Sequence, residues 1–310
     1  MRLTGALGLM ASLGFWLAAA RVSAVGEAST NAATDFRLLS LMPPAPASSE
    51  KVRRVLRLPA VQVTYSGISA TWAHRMGRVL TEARSHASRE FGFNMPDVLR
   101  LTVTTGTNRY ELFNDMRDQL TYHLRSEDEL AGFDWLHWYF IYGLCHEVAH
   151  LAMYRTFDPW VTNAWLNWDG QEAWAHYVGE RLADRSYARC VSEFWPGRGV
   201  EAEQTLKADR QSAQSFFPRS ELQLAGHWRA LADIVGDLGL EPVLEKWSKA
   251  DIDPQHPAEA VSGTLSAHPK AEQLRSWWLK AAPLMLTGPG KSAFPPTARP
   301  NSMPRPQPKT

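Results

Sequence analysis

Between Phe133 and Met153 the chain is almost wholly apolar, with Trp138-Tyr139-Phe140-Ile141-Tyr142 at its centre, yet it carries His146-Glu147-Val148-Ala149-His150 toward its end. The pattern predicts a helix over Asp134–Tyr154 that is buried on most of its faces. Ionisable side chains in such a helix are costly unless they are partnered, and a bound cation is a partner that all three can share. Residues four apart lie on one helix face with Cβ atoms about 5–6 Å apart, so the imidazoles of His146 and His150 can converge on one metal ion. Glu147 stands about 100° further round the helix. It lies beside such an ion without being aimed at it, where a general base for an activated water belongs.

The chain has only two cysteines, Cys145 and Cys190, so a metal must be held by histidines and carboxylates. In an exported protein these two could pair or remain thiols. Structural zinc sites use four protein ligands and hydrolytic ones three, which calls for one more ligand here. After Pro159 the chain reads Trp168-Asp169-Gly170-Gln171-Glu172-Ala173-Trp174-Ala175-His176-Tyr177, opening a helix expected over Gln171–Arg189. Glu172 and Asp169 are both candidates. A capping box, with Asp169 before the first turn and Glu172 three residues on, would explain the same two acids without a metal.

His146-Glu147-x-x-His150 followed by Glu172-Ala173-x-Ala175-x-Tyr177 resembles the gluzincin zinc metallopeptidases of the thermolysin-like and aminopeptidase-like superfamily. It looks most like a divergent, secreted bacterial branch of that group. The likeness covers about Val61 to Lys249 in element order, and only the two motifs are specific. It implies Zn²⁺ held by His146, His150 and Glu172, Glu147 as general base, and a peptide or protein substrate. Asp169 stands at the spacing that the aminopeptidase branch uses for its third ligand. His176 occupies the place where thermolysin-like enzymes put an Asp that hydrogen-bonds a ligand histidine, so it is either such a partner or a surface residue. The resemblance also requires an oxyanion donor beyond the third ligand, for which Tyr177 and His227 are available, with Tyr154 closer to the first motif.

Upstream, Val61–Tyr65 alternates as a short strand, and Trp72, Met76, Val79, Leu80 and Ala83 set a helical period running to about Glu90. Strands are expected at Val98–Thr104 and Gln119–Arg125, the latter with Leu120, Tyr122 and Leu124 on one face. Gln119–Arg125 is either an edge strand able to pair with an extended peptide or an ordinary sheet strand. Beyond Leu130 only helices are expected, with Leu222–Leu238, Glu241–Lys249 and Lys270–Ala281 following those named above. The fold class is therefore α+β: a small mixed sheet in the N-terminal half, packed on a mainly helical C-terminal half, with the zinc-binding helix at the junction.

Residues 1–24 have a basic start, an uncharged stretch and Val22-Ser23-Ala24, the build of a cleaved signal peptide. This implies a secreted or periplasmic protein with no stable membrane span after cleavage, the alternative being an N-terminal signal anchor. Residues 25–51 read as an Ala/Ser/Pro-rich linker, 52–287 as one metallopeptidase-like catalytic domain, and 288–310, with seven prolines and four basic residues, as a disordered basic tail. Lys and Arg total 33 against 32 Asp and Glu, which argues against a nucleic-acid partner. No feature sets an oligomeric state. The expectation is an exported zinc-dependent metallopeptidase. Its rivals are a non-catalytic exported binding or assembly protein that retains a peptidase-like fold, and a zinc hydrolase acting on a non-peptide bond.

Overall fold

A computed structural model of the chain describes residues 52–107, 111–114, 118–134, 137–156, 168–197, 202–214, 217, 219–240, 242 and 268–285. The expected signal segment, linker and tail lie outside the described residues, as does the Glu241–Lys249 helix apart from Pro242.

The architecture is α+β, with a five-stranded mixed sheet in the N-terminal half and helices thereafter. β1 (Arg54–Leu58) and β2 (Val61–Ser66) form an antiparallel pair whose turn holds Ala60 at φ 58°. Helix α1 (Ala70–Phe91) carries the chain across to β3 (Leu99–Thr105), parallel to β2. β4 (Glu111–Asn114) then leads to β5 (Gln119–Leu124). The order is β1-β2-β3-β5-β4, so β5 is interior, parallel to β3 and antiparallel to β4. The edge-strand expectation for Gln119–Arg125 is thereby corrected: the edge beyond it is β4. The sequence reading missed β1 and β4 because an edge strand buries too few side chains to show a two-residue period. Val55 and Phe113 are both exposed.

One face of the sheet is apolar. Val61, Val63 and Tyr65, then Leu99, Leu101 and Val103, then Leu120, Tyr122 and Leu124 are all buried, while the residues between them are half-buried or exposed. Against this layer α1 places the expected stripe of Trp72, Met76, Val79, Leu80 and Ala83, all buried. The Ser69 side chain accepts from the Trp72 amide to cap its start, and Gly92 at φ 73° ends it in the left-handed conformation that glycine adopts at no steric cost.

A 3₁₀ segment (Glu127–Asp134) precedes the long apolar helix, α2, which spans His137–Thr156. Seventeen of its 20 residues are buried, so α2 is a core helix at the junction, touching α1 and β4 on one side and the C-terminal helices on the other. The longest helix, α3 (Trp168–Phe194), packs along it. Then come α4 (Ala202–Gln214), α5 (Arg219–Val235) and α6 (Ala271–Met285). The sequence reading had not expected α4. Among the described residues no helix is long and apolar enough to cross a membrane.

α2 and α3 approach so closely that a Cβ at Gly179 would lie 2.8 Å from the His146 Cα and 3.0 Å from its amide nitrogen. Both neighbours are backbone and neither can swing aside. Helix propensity alone predicts that Gly179→Ala gains about 1 kcal/mol. The clash predicts a net loss of about 1–3 kcal/mol, and a lower thermal midpoint for Gly179→Ala would confirm that the helix contact dominates. Cys145 and Cys190 are both buried free thiols, so the disulfide that export would permit is not formed. Burial, chiefly, raises both thiols, Cys190 to about 12, so neither should react with an aqueous thiol reagent until the chain is denatured.

Candidate metal centre

Along the α2–α3 contact, polar side chains recur every four residues on each helix. On α2 they are Trp138, Tyr142, His146, His150 and Tyr154, and on α3 they are Glu172, His176, Glu180 and Asp184, with Gln171 beside the first. The partners run in opposite order: the Trp138 indole donates to Asp184 at 2.9 Å, Tyr142 meets His176, His146 and His150 meet Glu172, and the Tyr154 hydroxyl donates to Gln171 Oε1 at 2.9 Å. The helices are therefore antiparallel and held in one register by a ladder of polar rungs.

The central rungs bring His146, His150 and Glu172 together, their nearest donor atoms all within 4.8 Å of one another. His146 Nε2 and His150 Nε2 are 3.2 Å apart, and each lies 3.3 Å from an oxygen of Glu172, Oε2 and Oε1 respectively. A tetrahedral zinc with bonds of about 2.0–2.1 Å has ligand-to-ligand edges of about 3.3–3.4 Å. The two imidazole nitrogens thus stand close to the separation such an ion imposes, each meets a different oxygen of Glu172, and this group could hold a metal ion. Burial alone would push the Glu172 carboxyl up, but the charges and hydrogen bonds of His150 and His146 prevail and hold it well below the usual carboxylate range. Glu147 is buried in the same turn of α2. Its charge and that of Glu172 both reach Tyr154, whose hydroxyl is raised first by burial and then by these two carboxylates.

Behind the ligands lies a second set of residues. The Tyr142 hydroxyl is 3.0 Å from His146 Nδ1 and 2.8 Å from His176 Nδ1. His176 is buried, and its Nε2 faces Glu180 Oε1 at 3.5 Å. Glu180 in turn accepts from Arg210 (2.9 Å) and Gln214 (2.7 Å) on α4, and from Arg229 (2.9 Å) on α5. Burial opposes its charge, yet His176, Arg210 and Gln214 together keep its carboxyl at about 2. His176 therefore sits as an indirect partner of His146, reached through Tyr142, and not on the surface.

The other candidates lie elsewhere. Asp169 is exposed in the first turn of α3, inside the helix and not ahead of it as the capping box would need. The Tyr177 hydroxyl donates to Asp237 at 2.9 Å, and burial with that carboxylate raises it. His227 is half-buried on α5, where its carbonyl accepts from the Trp277 indole. None of these three is in the metal-holding group. Sequence reasoning missed Tyr142, Glu180, Arg210, Gln214 and Arg229. The signal that could have found the first two is the four-residue spacing Tyr142/His146/His150 answered by Glu172/His176/Glu180. An apolar cavity of about 30 Å³ lies between α2, β4 and β5, lined by Leu112, Tyr122, Phe133, Tyr139, Phe140, Gly143 and Leu144. Phe140, Gly143 and Leu144 precede Glu147 by seven, four and three residues, so they share its side of α2.

Compared with known proteins, the chain matches no family model, no curated protein and no solved structure.

Metal analysis of the purified chain should find about one ion per molecule. Glu172→Ala and His150→Ala should each lose it while Asp169→Ala keeps it. Loss in Asp169→Ala with retention in Glu172→Ala would move the third ligand to Asp169.

Proposed function

We propose that this protein is an exported zinc-dependent peptidase, in which His146, His150 and Glu172 hold Zn²⁺ and Glu147 is the general base. One observation carries the reading. Two imidazole nitrogens from α2, 3.2 Å apart and each 3.3 Å from one oxygen of Glu172 on α3, form a group that could hold a metal ion, with a buried carboxylate on the residue that follows the first ligand.

Three protein ligands leave one position open, the arrangement of hydrolytic rather than structural zinc. Zinc bound there supplies Lewis acidity, polarising a peptide carbonyl and making a water more acidic. Glu147 takes the proton of the attacking water and passes it to the departing amine, so that the nitrogen leaves as a neutral group. His146 and His150 approach the group from α2 and Glu172 from α3, so ligand geometry depends on the α2–α3 register and not on a loop. Export rests on residues 1–24, with a secreted or periplasmic destination.

Glu147→Gln should retain the metal and fold of the parent while its hydrolysis of unfolded protein or peptide substrates falls by about 10²–10⁴. The check is a peptide-library digest scored by mass spectrometry, beside metal analysis of the same sample. Full activity in Glu147→Gln removes Glu147 from the mechanism. A metal-loaded parent that cleaves esters but no peptide bond transfers the assignment to a non-peptide hydrolase.

A further inference from the structure

We propose that Glu180, clamped by Arg210, Arg229 and Gln214, fixes the direction of the hydrogen-bond chain His146–Tyr142–His176 and so presents the bare Nε2 of His146 to the metal. The proposal rests on the metal reading of the site, and it assigns a positioning role to residues that touch neither metal nor substrate.

The chain between the two carboxylates has three mobile hydrogens, one each on neutral His146, Tyr142 and neutral His176, and two self-consistent directions. In the first, His146 Nδ1–H donates to the Tyr142 oxygen, the Tyr142 hydroxyl donates to His176 Nδ1, and His176 Nε2–H points at Glu180 Oε1. In the second, every hydrogen has moved one place the other way: His176 Nδ1–H donates to Tyr142, Tyr142 donates to His146 Nδ1, and His146 Nε2–H points at Glu172 Oε2. The two Tyr142 hydrogen bonds, at 3.0 and 2.8 Å, allow either direction; at the ends His146 Nε2 lies 3.3 Å from Glu172 and His176 Nε2, which makes no hydrogen bond, faces the Glu180 carboxylate at 3.5 Å, so Glu180 acts on it by its charge. No proton is gained or lost between them.

Only the first direction leaves His146 Nε2 with a free lone pair for a cation, and Glu180 favours it. Two arginines and an amide hold that carboxylate ionised and in place, so it can accept a hydrogen bond but not give one. In the second direction the bare His176 Nε2 would face this anion at 3.5 Å with no hydrogen between, in a site where both side chains are 2 % exposed. Burial, opposed by Glu180, also lowers the His176 pKa and favours a neutral ring. A doubly protonated His176 would donate at both edges and force Tyr142 to donate toward His146. Arg210 and Arg229, on α4 and α5, thus act on the metal centre through four side chains.

The test uses zinc itself and the whole chain. Zinc affinity is measured by chelator competition for the parent, Glu180→Gln, Glu180→Asp and Tyr142→Phe, with thermal midpoints recorded in parallel. Glu180→Gln and Tyr142→Phe should bind zinc about 10–100-fold more weakly, and Glu180→Asp should recover most of the loss. Nitrogen NMR of the zinc-loaded parent, labelled at histidine, should place the His176 hydrogen on Nε2. This second readout decides the matter even where Glu180→Gln does not fold. Unchanged zinc affinity in both folded variants, or a hydrogen on His176 Nδ1 in the loaded parent, overturns the proposal. A merely structural Glu180 would lower the thermal midpoint and leave the zinc affinity alone. A parent that binds zinc as described but cleaves no peptide overturns the peptidase reading and leaves this one standing, whereas a parent that binds no zinc overturns both.

Discussion

Backbone-to-backbone contact between α2 and α3 is the constraint on which the remainder of the structure depends. Without a side chain at Gly179, α3 lies against the main chain of α2 at His146, and the His146 and His150 imidazoles of α2 come within 3.3 Å of the Glu172 carboxylate on α3. A helix pair separated by ordinary side chains has axes about 8–10 Å apart, with apolar groups filling the space. Here polar groups fill it, and each must therefore find its partner across the gap. That requirement explains why the facing stripes match rung for rung, because a register slip of one turn would leave several buried polar groups unmatched at a cost of about 1–3 kcal/mol each.

The sheet and α1 supply what this polar seam lacks. A helix with nearly every face buried and a charged stripe on one of them needs apolar contact on the others. α1 and β4 provide it, with Trp72 edge-on to Phe140 and Phe133 tilted against the same ring. The C-terminal helices close the far side of α3. The Trp228 indole on α5 donates to the Gly170 carbonyl, and the Trp277 indole on α6 donates to the His227 carbonyl. Trp138, Trp228 and Trp277 thus pack in the core and use their indole N–H groups to tie helix to helix.

The α+β order, the β2–α1–β3 unit, His146, His150 and the carboxylate beside them were legible in the sequence because each rests on a local period, whereas Glu172 was set apart from Asp169 only by the motif resemblance. Val61–Tyr65 alternates, α1 repeats its apolar stripe, and His146 and His150 are one turn apart. The rest was illegible for identifiable reasons. β1 and β4 are edge strands with little to bury. α4 is composed of strong helix formers, Ala202-Glu203-Gln204-Thr205-Leu206-Lys207-Ala208, but its apolar residues are too few to set a period, so only propensity marked it. Tyr142 reads as one more aromatic in an apolar run until α3 is laid against it. Glu180 reads as a surface acid until Arg210, Gln214 and Arg229 arrive from helices 30 to 49 residues away. A carboxylate clamp assembled from three helices has no local pattern.

The character of the rungs changes along the seam, and this separates structural work from chemical work. At the ends stand Trp138 with Asp184 and Tyr154 with Gln171, pairs in which an aromatic N–H or O–H donates to one oxygen. The indole hydrogen of Trp138 does not leave at neutral pH, and the Tyr154 hydroxyl is raised by burial and by the neighbouring carboxylates. Such rungs fix register without exchanging protons. Between them lie the imidazoles and carboxylate that could hold a metal ion, with the Tyr142 hydroxyl linking His146 to His176. A metal site needs its donors held within about 0.5 Å of the productive geometry, and the two rungs flanking the centre meet that need. The same two helices therefore serve as scaffold at their ends and as candidate metal centre in the middle, with Gly179 setting the spacing for both.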